Sequence, residues 1–258
     1  MKIRNHRLLH EDGSPVRFEA TPNMGGLLKP EYLILHYTAG SSLDGSIAWF
    51  KNPHAKASAH LVIGRDGAIV QMVPFNRIAW HAGISAWDGR RGLNAYAIGI
   101  ELDNAGQMER VGSRWRAKVS KRLYPDDEVL VANHKHDPPG TAPSGWHEYS
   151  EVQIERALMV AQLLMERYAL QEVLGHDDVS PGRKMDPGPA FPMASFRARL
   201  LGRREDTPAI YAARTALNLR AGPGVQHAAL PGSPLPAGTR FYVLEKQAVW
   251  WQVELIEP

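Results

Sequence analysis

The sequence predicts an α/β domain, with a central sheet flanked by helices, followed by a small all-β module. Two apolar runs, residues 31–37 and 96–102, are typical of buried strands. Residues 150–169 place apolar side chains on one helical face. Beyond residue 208 the pattern changes to short β runs between turns rich in glycine and proline, which is typical of a small all-β domain.

Before residue 103 the chain predicts a strand, a helix, a hairpin and a second strand. An Asp-Gly pair at residues 66–67 joins two β-rich runs, and this pair is a strong hairpin signal. The predicted elements lie, in order, at residues 31–37, 47–50, 60–63 with 68–73, and 96–102.

Residues 103–149 break this pattern. We expect a long excursion with one short helix or hairpin near residues 126–133, because loops of this length in a compact domain usually carry function or move. Its segment 110–122 is strongly basic, which indicates either attraction to anionic polymers or an ordinary solvated face. Trp115 and Trp146 flank the excursion and either form sugar platforms or pin it to the core.

The most regular pattern in the chain is the helix predicted at residues 150–169. Ser150 is expected to cap its first turn, with Gln153 completing a capping box. Apolar residues at helical spacing should face the core: Ile154, Leu158, Ala161, Met165 and Tyr168.

Further elements and a linker complete the chain. A short strand is predicted at residues 173–174 and a last helix at about 193–201. A charged linker at residues 204–208 is expected to separate a first domain, residues 1–203, from the all-β module at residues 209–258.

The composition excludes several classes of protein. The 258 residues suffice for one large domain, or for a medium domain with a small one. Cysteine is absent, which excludes disulfides, cysteine-ligated metal centres and a cysteine nucleophile, whereas 11 His still permit a metal site. A net charge of +3 without a nucleic-acid motif argues against a nucleic-acid partner. We expect neither a membrane span nor a signal peptide, because the chain has no sufficiently long apolar run.

Polar side chains stand at the ends of the apolar strands. His36 closes the first strand, Glu101 closes a later one, and His176 directly follows the short strand. Strand ends that meet at one edge of an α/β sheet commonly form a site. Two histidines and a carboxylate, Asp186, suit a catalytic zinc with water in its fourth position. The pattern fits equally well a satisfied buried His36, with His176 and Asp186 in turns.

Six sequence blocks, taken together and in this order, resemble a known family. They resemble the type-2 N-acetylmuramoyl-L-alanine amidases, which share the fold of the peptidoglycan recognition proteins, a mixed central sheet flanked by helices. The resemblance covers roughly residues 15–200. The blocks are His36-Tyr37-Thr38-Ala39-Gly40, Ala59-His60-Leu61-Val62-Ile63, Arg65-Asp66-Gly67, Ala79-Trp80-His81-Ala82-Gly83, Ile98-Gly99-Ile100-Glu101, and residues 175–188 with their Gly-His-Asp-Asp and Pro-Gly-Arg-Lys-Met-Asp-Pro-Gly sequences.

The resemblance implies a role for each matching residue. The zinc ligands would be His36, His176 and Asp186, the catalytic carboxylate Glu101, and the lysine that steadies the oxyanion Lys184. The chain departs from the family pattern at two positions. Asp186 stands where some relatives use cysteine, and Ala59 stands where one branch has a tyrosine, so proton transfer should fall to Glu101.

Substrate contacts are also implied by the resemblance. The residues expected to make them are Trp80, His81, Asn104 and Arg183. His81 lies where relatives line the substrate groove, and the alternative is a structural histidine hydrogen-bonded beneath the site.

The activity implied by the resemblance is zinc-dependent hydrolysis of the amide between N-acetylmuramic acid and L-alanine, in peptidoglycan or muropeptides. One alternative is a module that binds muropeptides without cutting them. Another is a cytoplasmic recycling amidase specific for anhydro-muropeptides, which the lack of an evident signal peptide favours.

The C-terminal module resembles a bacterial SH3-like domain through residues 217–224, 236–239 and 250–253. The usual closing strand is missing, so we expect a barrel that is incomplete, docked, or completed by another chain, with a dimer possible through the open edge. The resemblance implies wall targeting, as in a phage-type endolysin acting in the periplasm, and the alternative is a structural appendage.

Overall fold

The chain folds into two units, Met1–Leu200 and Leu201–Pro258. The computed structural model describes residues 1–200, 210–247 and 250–255. The linker predicted at residues 204–208, and the domain boundaries on either side of it, lie outside the described residues.

The first unit alternates strands and helices along the chain. Its strands are β1 Lys2–Arg4, β2 Arg7–Leu9, β3 Met24–Leu27, β4 Tyr32–Tyr37, β5 Leu61–Ile63, β6 Ile69–Gln71, β7 Arg77–Ala79, β8 Ala86–Trp87, β9 Arg90–Arg91, β10 Ala97–Leu102, β11 Gln107–Val111, β12 Arg114–Ala117, β13 Leu123–Tyr124, β14 Val129–Ala132, β15 Ser144–His147 and β16 Glu172–Gly175. Its α-helices are α1 Leu43–Lys51, α2 Glu151–Tyr168, α3 His176–Val179 and α4 Met193–Leu200. Short 3₁₀ turns lie at Pro53–Ala55, Leu93–Ala95 and Asp126–Glu128.

The central sheet is mixed, with the strand order β16-β4-β10-β5-β6. The first four strands run parallel, and β6 pairs antiparallel with β5 as the predicted hairpin. Every residue of β10 is buried, because helices or loops cover both faces of the sheet. The predicted strands and the predicted mixed α/β architecture are therefore confirmed.

The two faces of the central sheet have different covers. On one face, Leu33, Leu35 and Ile100 pack in a core cluster with α2 and α4. On the other face, Ile34 packs with Ala82 and neighbouring loop residues. Because side chains alternate along a strand, His36 lies on the second face, away from α2. The parallel register places Glu101 beside it.

Helix α2 begins at the predicted cap. The side chain of Ser150 accepts a hydrogen bond from the Gln153 amide nitrogen, and the predicted apolar face lies in or against the core. The prediction that the Gln153 side chain completes a capping box by bonding back to Ser150 was wrong. The Gln153 side-chain amide instead donates to the carbonyls of Ile63 (2.9 Å) and Asp103 (3.1 Å), which joins α2 to two strand ends.

We expect Ser150→Ala to destabilise the first unit by about 1–2 kcal/mol, because it removes the helix cap and a hydrogen bond to the Arg65 carbonyl. Chemical denaturation monitored by circular dichroism measures this loss. Ser150→Thr keeps the hydroxyl group and serves as the control. Equal stability of the alanine variant and the wild type would contradict the cap assignment.

Residues 107–147 form a second, antiparallel sheet with the order β13-β12-β11-β15-β14. The expectation of a long excursion with one short helix or hairpin was therefore wrong for most of this segment. These strands are two to five residues long, and polar and apolar residues alternate clearly in only some of them. One example is Arg114-Trp115-Arg116-Ala117, where the arginines face outward. Of the basic residues that we interpreted as one charged stretch, Arg114 and Arg116 lie on the outer face of this sheet, whereas Arg110 pairs with Trp115 and lies on the opposite face.

Both tryptophans of this region are buried. Trp115 donates to the Asp126 carboxylate at 2.8 Å, and Trp146 donates to the Ala132 carbonyl at 3.0 Å. They therefore hold the second sheet together, which agrees with the alternative that they pin this segment to the core rather than form exposed sugar platforms.

The described part of the second unit contains three strands, β17 Ile210–Ala212, β18 Arg240–Gln247 and β19 Trp250–Leu255. They form one antiparallel sheet in chain order. Among the described residues of both units, no helix combines the length and apolarity needed to cross a membrane.

Candidate metal centre and active site

Three buried side chains meet at one end of the central sheet. His36 lies near the end of β4, His176 begins α3 directly after β16, and Asp186 lies in the segment between α3 and α4. The Nδ1 atoms of the two histidines and the Asp186 Oδ2 are each 2.9 Å apart. In the described part of the chain, this is the one cluster in which three or more histidine, aspartate or glutamate side chains could hold a metal ion.

The other ring nitrogens of both histidines are bound within the protein. His176 Nε2 donates to the Ala82 carbonyl at 3.0 Å. His81 Nε2 donates to the Ala97 carbonyl at 3.2 Å, so its Nδ1 accepts from His36 Nε2 at 3.0 Å. Both clustered histidines, His36 and His176, therefore carry their proton on Nε2 and present an unprotonated Nδ1 to the cluster.

Burial keeps His36 neutral. It lowers the pKa of His36 to about 4, with a further decrease from His176, and the Asp186 carboxylate opposes both effects. Two imidazole lone pairs and a carboxylate oxygen then converge without a proton between them, an arrangement that a cation stabilises. Neutral imidazole and carboxylate ligands suit Zn²⁺, and ligating histidines commonly donate their second N–H to a carbonyl or another side chain, as both do in this cluster.

Glu101 supplies a second kind of group. It lies beside His36 on the neighbouring strand, is 8% exposed, and its Oε2 is buried without a hydrogen-bond partner. Burial raises the pKa of Glu101 to about 8, the Asp186 charge adds to this increase, and the Lys184 charge opposes it. A carboxyl group whose pKa lies near neutrality is suited to accept and return a proton.

Comparison with known proteins identifies the family of this chain. Residues 26–189 match the family described as N-acetylmuramoyl-L-alanine amidase (Amidase_2). The chain belongs to the N-acetylmuramoyl-L-alanine amidase family. The matched segment includes the metal cluster and Glu101.

Relatives within this amidase family include enzymes of known structure. The chain is 34% identical over 149 residues to the 1,6-anhydro-N-acetylmuramyl-L-alanine amidase AmpD of Enterobacter cloacae, covering 57% of this chain and 59% of the relative. The chain thus spans less than two thirds of that relative's length. A crystal structure of a selenomethionine AmpD derivative superimposes with a TM-score of 0.52 and 28% identity, covering 77% of this chain and 98% of the other.

A substrate complex of another amidase is also similar. The Escherichia coli N-acetylmuramyl-L-alanine amidase AmiD, solved with anhydro-N-acetylmuramic acid-L-Ala-D-γ-Glu-L-Lys, gives a TM-score of 0.50 and 29% identity. The superposition covers 68% of this chain and 58% of that one.

His81 lies behind the cluster of His36, His176 and Asp186. Its ring is 9% exposed and is hydrogen-bonded to His36 as described above. This placement matches the alternative of a structural histidine beneath the site, and a direct contact with substrate stays a prediction. Sequence reasoning did not find that Gly99 makes room for this ring, although a glycine inside a strand is a signal of close approach.

Gly99→Ala is expected to destabilise the first unit by about 2–3 kcal/mol, because a Cβ on Gly99 would lie 2.5 Å from the His81 ring. The ring cannot withdraw without losing its bonds to His36 and Ala97. Thermal and chemical unfolding measure the effect. Gly26→Ala is a matched control, since a Cβ there meets nothing within 4 Å. Similar stability of the two variants would contradict this packing.

The structure places the other predicted substrate residues at different depths. Trp80 is half-buried, and Arg183 is exposed, with its Nη2 donating to the carbonyls of Ala82 and Ile84 at 2.9 and 2.6 Å. Asn104 is 2% exposed, and its side-chain amide donates to the His147 carbonyl at 2.9 Å. Arg183 therefore binds loop backbone and Asn104 binds the end of β15, and the roles of both residues in substrate binding stay predictions.

Proposed function

We propose that this chain hydrolyses the amide bond between N-acetylmuramic acid and L-alanine, with one zinc ion held by His36, His176 and Asp186. The observation that carries the proposal is the buried cluster of two unprotonated Nδ1 atoms and a carboxylate beside the unpartnered carboxyl group of Glu101. Membership of the amidase family supports the same conclusion.

The bound ion would supply Lewis-acid chemistry, polarising the scissile carbonyl and activating water. Glu101 would accept a proton from the attacking water and deliver it to the departing amine of L-alanine. Its burial favours this role, because the raised pKa of the carboxyl group makes its conjugate acid stable enough to form near neutral pH.

Lys184 would stabilise the negative charge that develops on the scissile carbonyl oxygen. It lies two residues before Asp186, and in an extended segment alternate side chains point to the same side. Its charge also acts on Glu101 and on His36, whose pKa values it lowers. We expect the ammonium group to contribute roughly 3–4 kcal/mol of transition-state stabilisation, as placed donors in comparable sites do.

Soluble anhydro-muropeptides are the substrate class that we favour. The AmpD relative is named for the 1,6-anhydro compound, and the AmiD complex contains an anhydro-muropeptide. On this proposal the enzyme is a recycling amidase that acts in the cytoplasm. Preference for intact wall would instead place it in the periplasm.

The test compares cleavage of a soluble anhydro-muropeptide with cleavage of intact peptidoglycan sacculi by the zinc-loaded protein. Release of free peptide with an L-alanine N-terminus, faster from the soluble substrate, is the expected result. Binding of the muropeptide without cleavage would support the alternative of a non-catalytic recognition module. Faster release from sacculi would reverse the proposed substrate preference.

For the second unit we propose an SH3-like fold. The described strands β17, β18 and β19 form an antiparallel sheet, which is consistent with this assignment. Wall targeting, a role as an endolysin and dimerisation through an open sheet edge remain predictions from the sequence. Sedimentation of the full chain with purified sacculi in chelator tests wall binding, and analytical ultracentrifugation tests the dimer.

A further inference from the structure

The loop between β14 and β15 contacts the helix that carries a metal ligand. His134 Nε2 donates to the Asp177 carboxylate at 3.0 Å, and Lys135 Nζ lies 2.9 Å from its other oxygen. His136 Nε2 donates to the Asp177 carbonyl at 3.0 Å. Three consecutive residues of this loop therefore hold Asp177, a residue of α3.

The orientation of His134 is fixed by its surroundings. The His136 amide nitrogen donates to His134 Nδ1 at 3.2 Å, so the proton of the neutral ring is on Nε2, facing Asp177. The ring stacks on Trp146 with 5.7 Å between centroids, and the side chain is 1% exposed. His134 is therefore a preorganised hydrogen-bond donor whose ring has little freedom to rotate.

Asp177 connects two of the proposed zinc ligands. It directly follows His176, and its amide nitrogen donates to the Asp186 carbonyl at 2.8 Å. Asp177 is 4% exposed, so its carboxylate depends on the partners that the loop supplies. A buried carboxylate that loses its partners is costly, and its backbone would shift to bring it to water.

We propose that His134 is a positioning residue, which acts through Asp177 to keep His176 and Asp186 at ligand distance. The loop between β14 and β15 of the second sheet would then hold the two ligands in place without contacting the metal itself. This inference rests on the zinc site of the proposed function.

Zinc affinity is the measurement that tests the inference, made on the full chain by competition with a chromophoric chelator. We expect His134→Leu to weaken Zn²⁺ binding about 10-fold, towards the lower end of what outer-shell changes cost. His134→Gln keeps a donor near the position of Nε2 and should restore affinity to within about 3-fold. Asn133→Ala is the matched control, because Asn133 lies in the same loop but donates to the Thr141 carbonyl at 2.8 Å.

A second variant covers the case in which His134→Leu does not fold. Lys135 is 43% exposed in its side chain, so Lys135→Gln should fold, and we expect it to weaken Zn²⁺ binding several-fold through the same carboxylate. A double-mutant cycle with Asp177→Asn should show that the effects of the His134 and Asp177 substitutions are not additive.

The outcomes separate this inference from the zinc proposal. Wild-type affinity in both Lys135→Gln and any folded His134→Leu protein, with only thermal stability reduced, would overturn the positioning role. Additive effects in the cycle would do the same. Failure of the wild-type protein itself to bind Zn²⁺ would instead overturn the proposed function.

Discussion

Replacement of Glu101 by glutamine is expected to lower kcat at least 100-fold while zinc remains bound. Glutamine has nearly the same shape as glutamate but cannot accept a proton from water, and general acid–base catalysis typically contributes 10²–10⁴-fold. Glu101 is not one of the clustered ligand residues, so metal content should be unchanged. Steady-state kinetics and metal analysis of the purified variant measure both quantities. Wild-type turnover by Glu101→Gln would remove Glu101 from the mechanism.

The same variant is expected to be more stable than the wild type in the metal-free state, with a dependence on pH. The pKa of Glu101 is raised from 4.5 to about 8 in the folded protein, so folding favours the protonated form. The free energy of unfolding that the wild type loses by ionising Glu101 is zero below pH 4.5, grows as the pH rises, and reaches its full value above about pH 8.

Denaturation in chelator at pH 5 and pH 8.5 should therefore show a gain for Glu101→Gln at the higher pH, on the order of 1–3 kcal/mol. A stability difference that does not change with pH would show that burial does not affect this carboxyl group. A gain in stability together with a loss of turnover is the expected signature of a group retained for catalysis.

Removal of the metal is expected to abolish activity, and His176→Ala should do so irreversibly. Two remaining ligands bind Zn²⁺ much more weakly than three, and we expect a loss of affinity of more than ~100-fold, the upper end of the loss from outer-shell changes alone. Activity of the wild type after chelation should return with added Zn²⁺. The variant should stay at least ~1,000-fold below wild type at the same free Zn²⁺.

Thermal unfolding provides an independent readout of this site. Zn²⁺ at 1,000 times its dissociation constant stabilises a folded protein by about 4 kcal/mol, so the wild-type melting temperature should rise with added zinc. His176→Ala should show no such rise. His54→Ala is the matched control, since His54 is exposed and outside the cluster. An equal zinc response of both variants would disprove the ligand assignment.

The elements around the site were largely predictable, because their signals are local. Strands β4 and β10 are continuous apolar runs, and helix α2 has both its cap and its buried face in the sequence. The second sheet was not predictable in the same way. Its strands are short, and what holds them together is pairing between distant segments, such as β11 with β15.

The roles of individual polar side chains also divide into those that the sequence predicts and those that depend on distant partners. The residue types of the metal cluster followed from polar side chains at strand ends and from the family resemblance. That Gln153 joins α2 to strand ends, rather than closing a capping box, depends on the carbonyls of Ile63 and Asp103, which lie 90 and 50 residues away in the chain. No local pattern reports such distant partners.

The sequence by itself determined which residue types are present to bind a metal: histidines and a carboxylate, with no cysteine. Only the tertiary structure decided that His36 meets His176 and Asp186, which are 140 and 150 residues further along the chain. It also decided which ring nitrogen of each histidine faces the cluster. The Ala82 carbonyl accepts from His176 Nε2, and the Ala97 carbonyl accepts from His81, whose Nδ1 then accepts from His36 Nε2. The physical reason is that a side chain's identity is local, whereas its tautomer and its neighbours are set by groups that folding brings together.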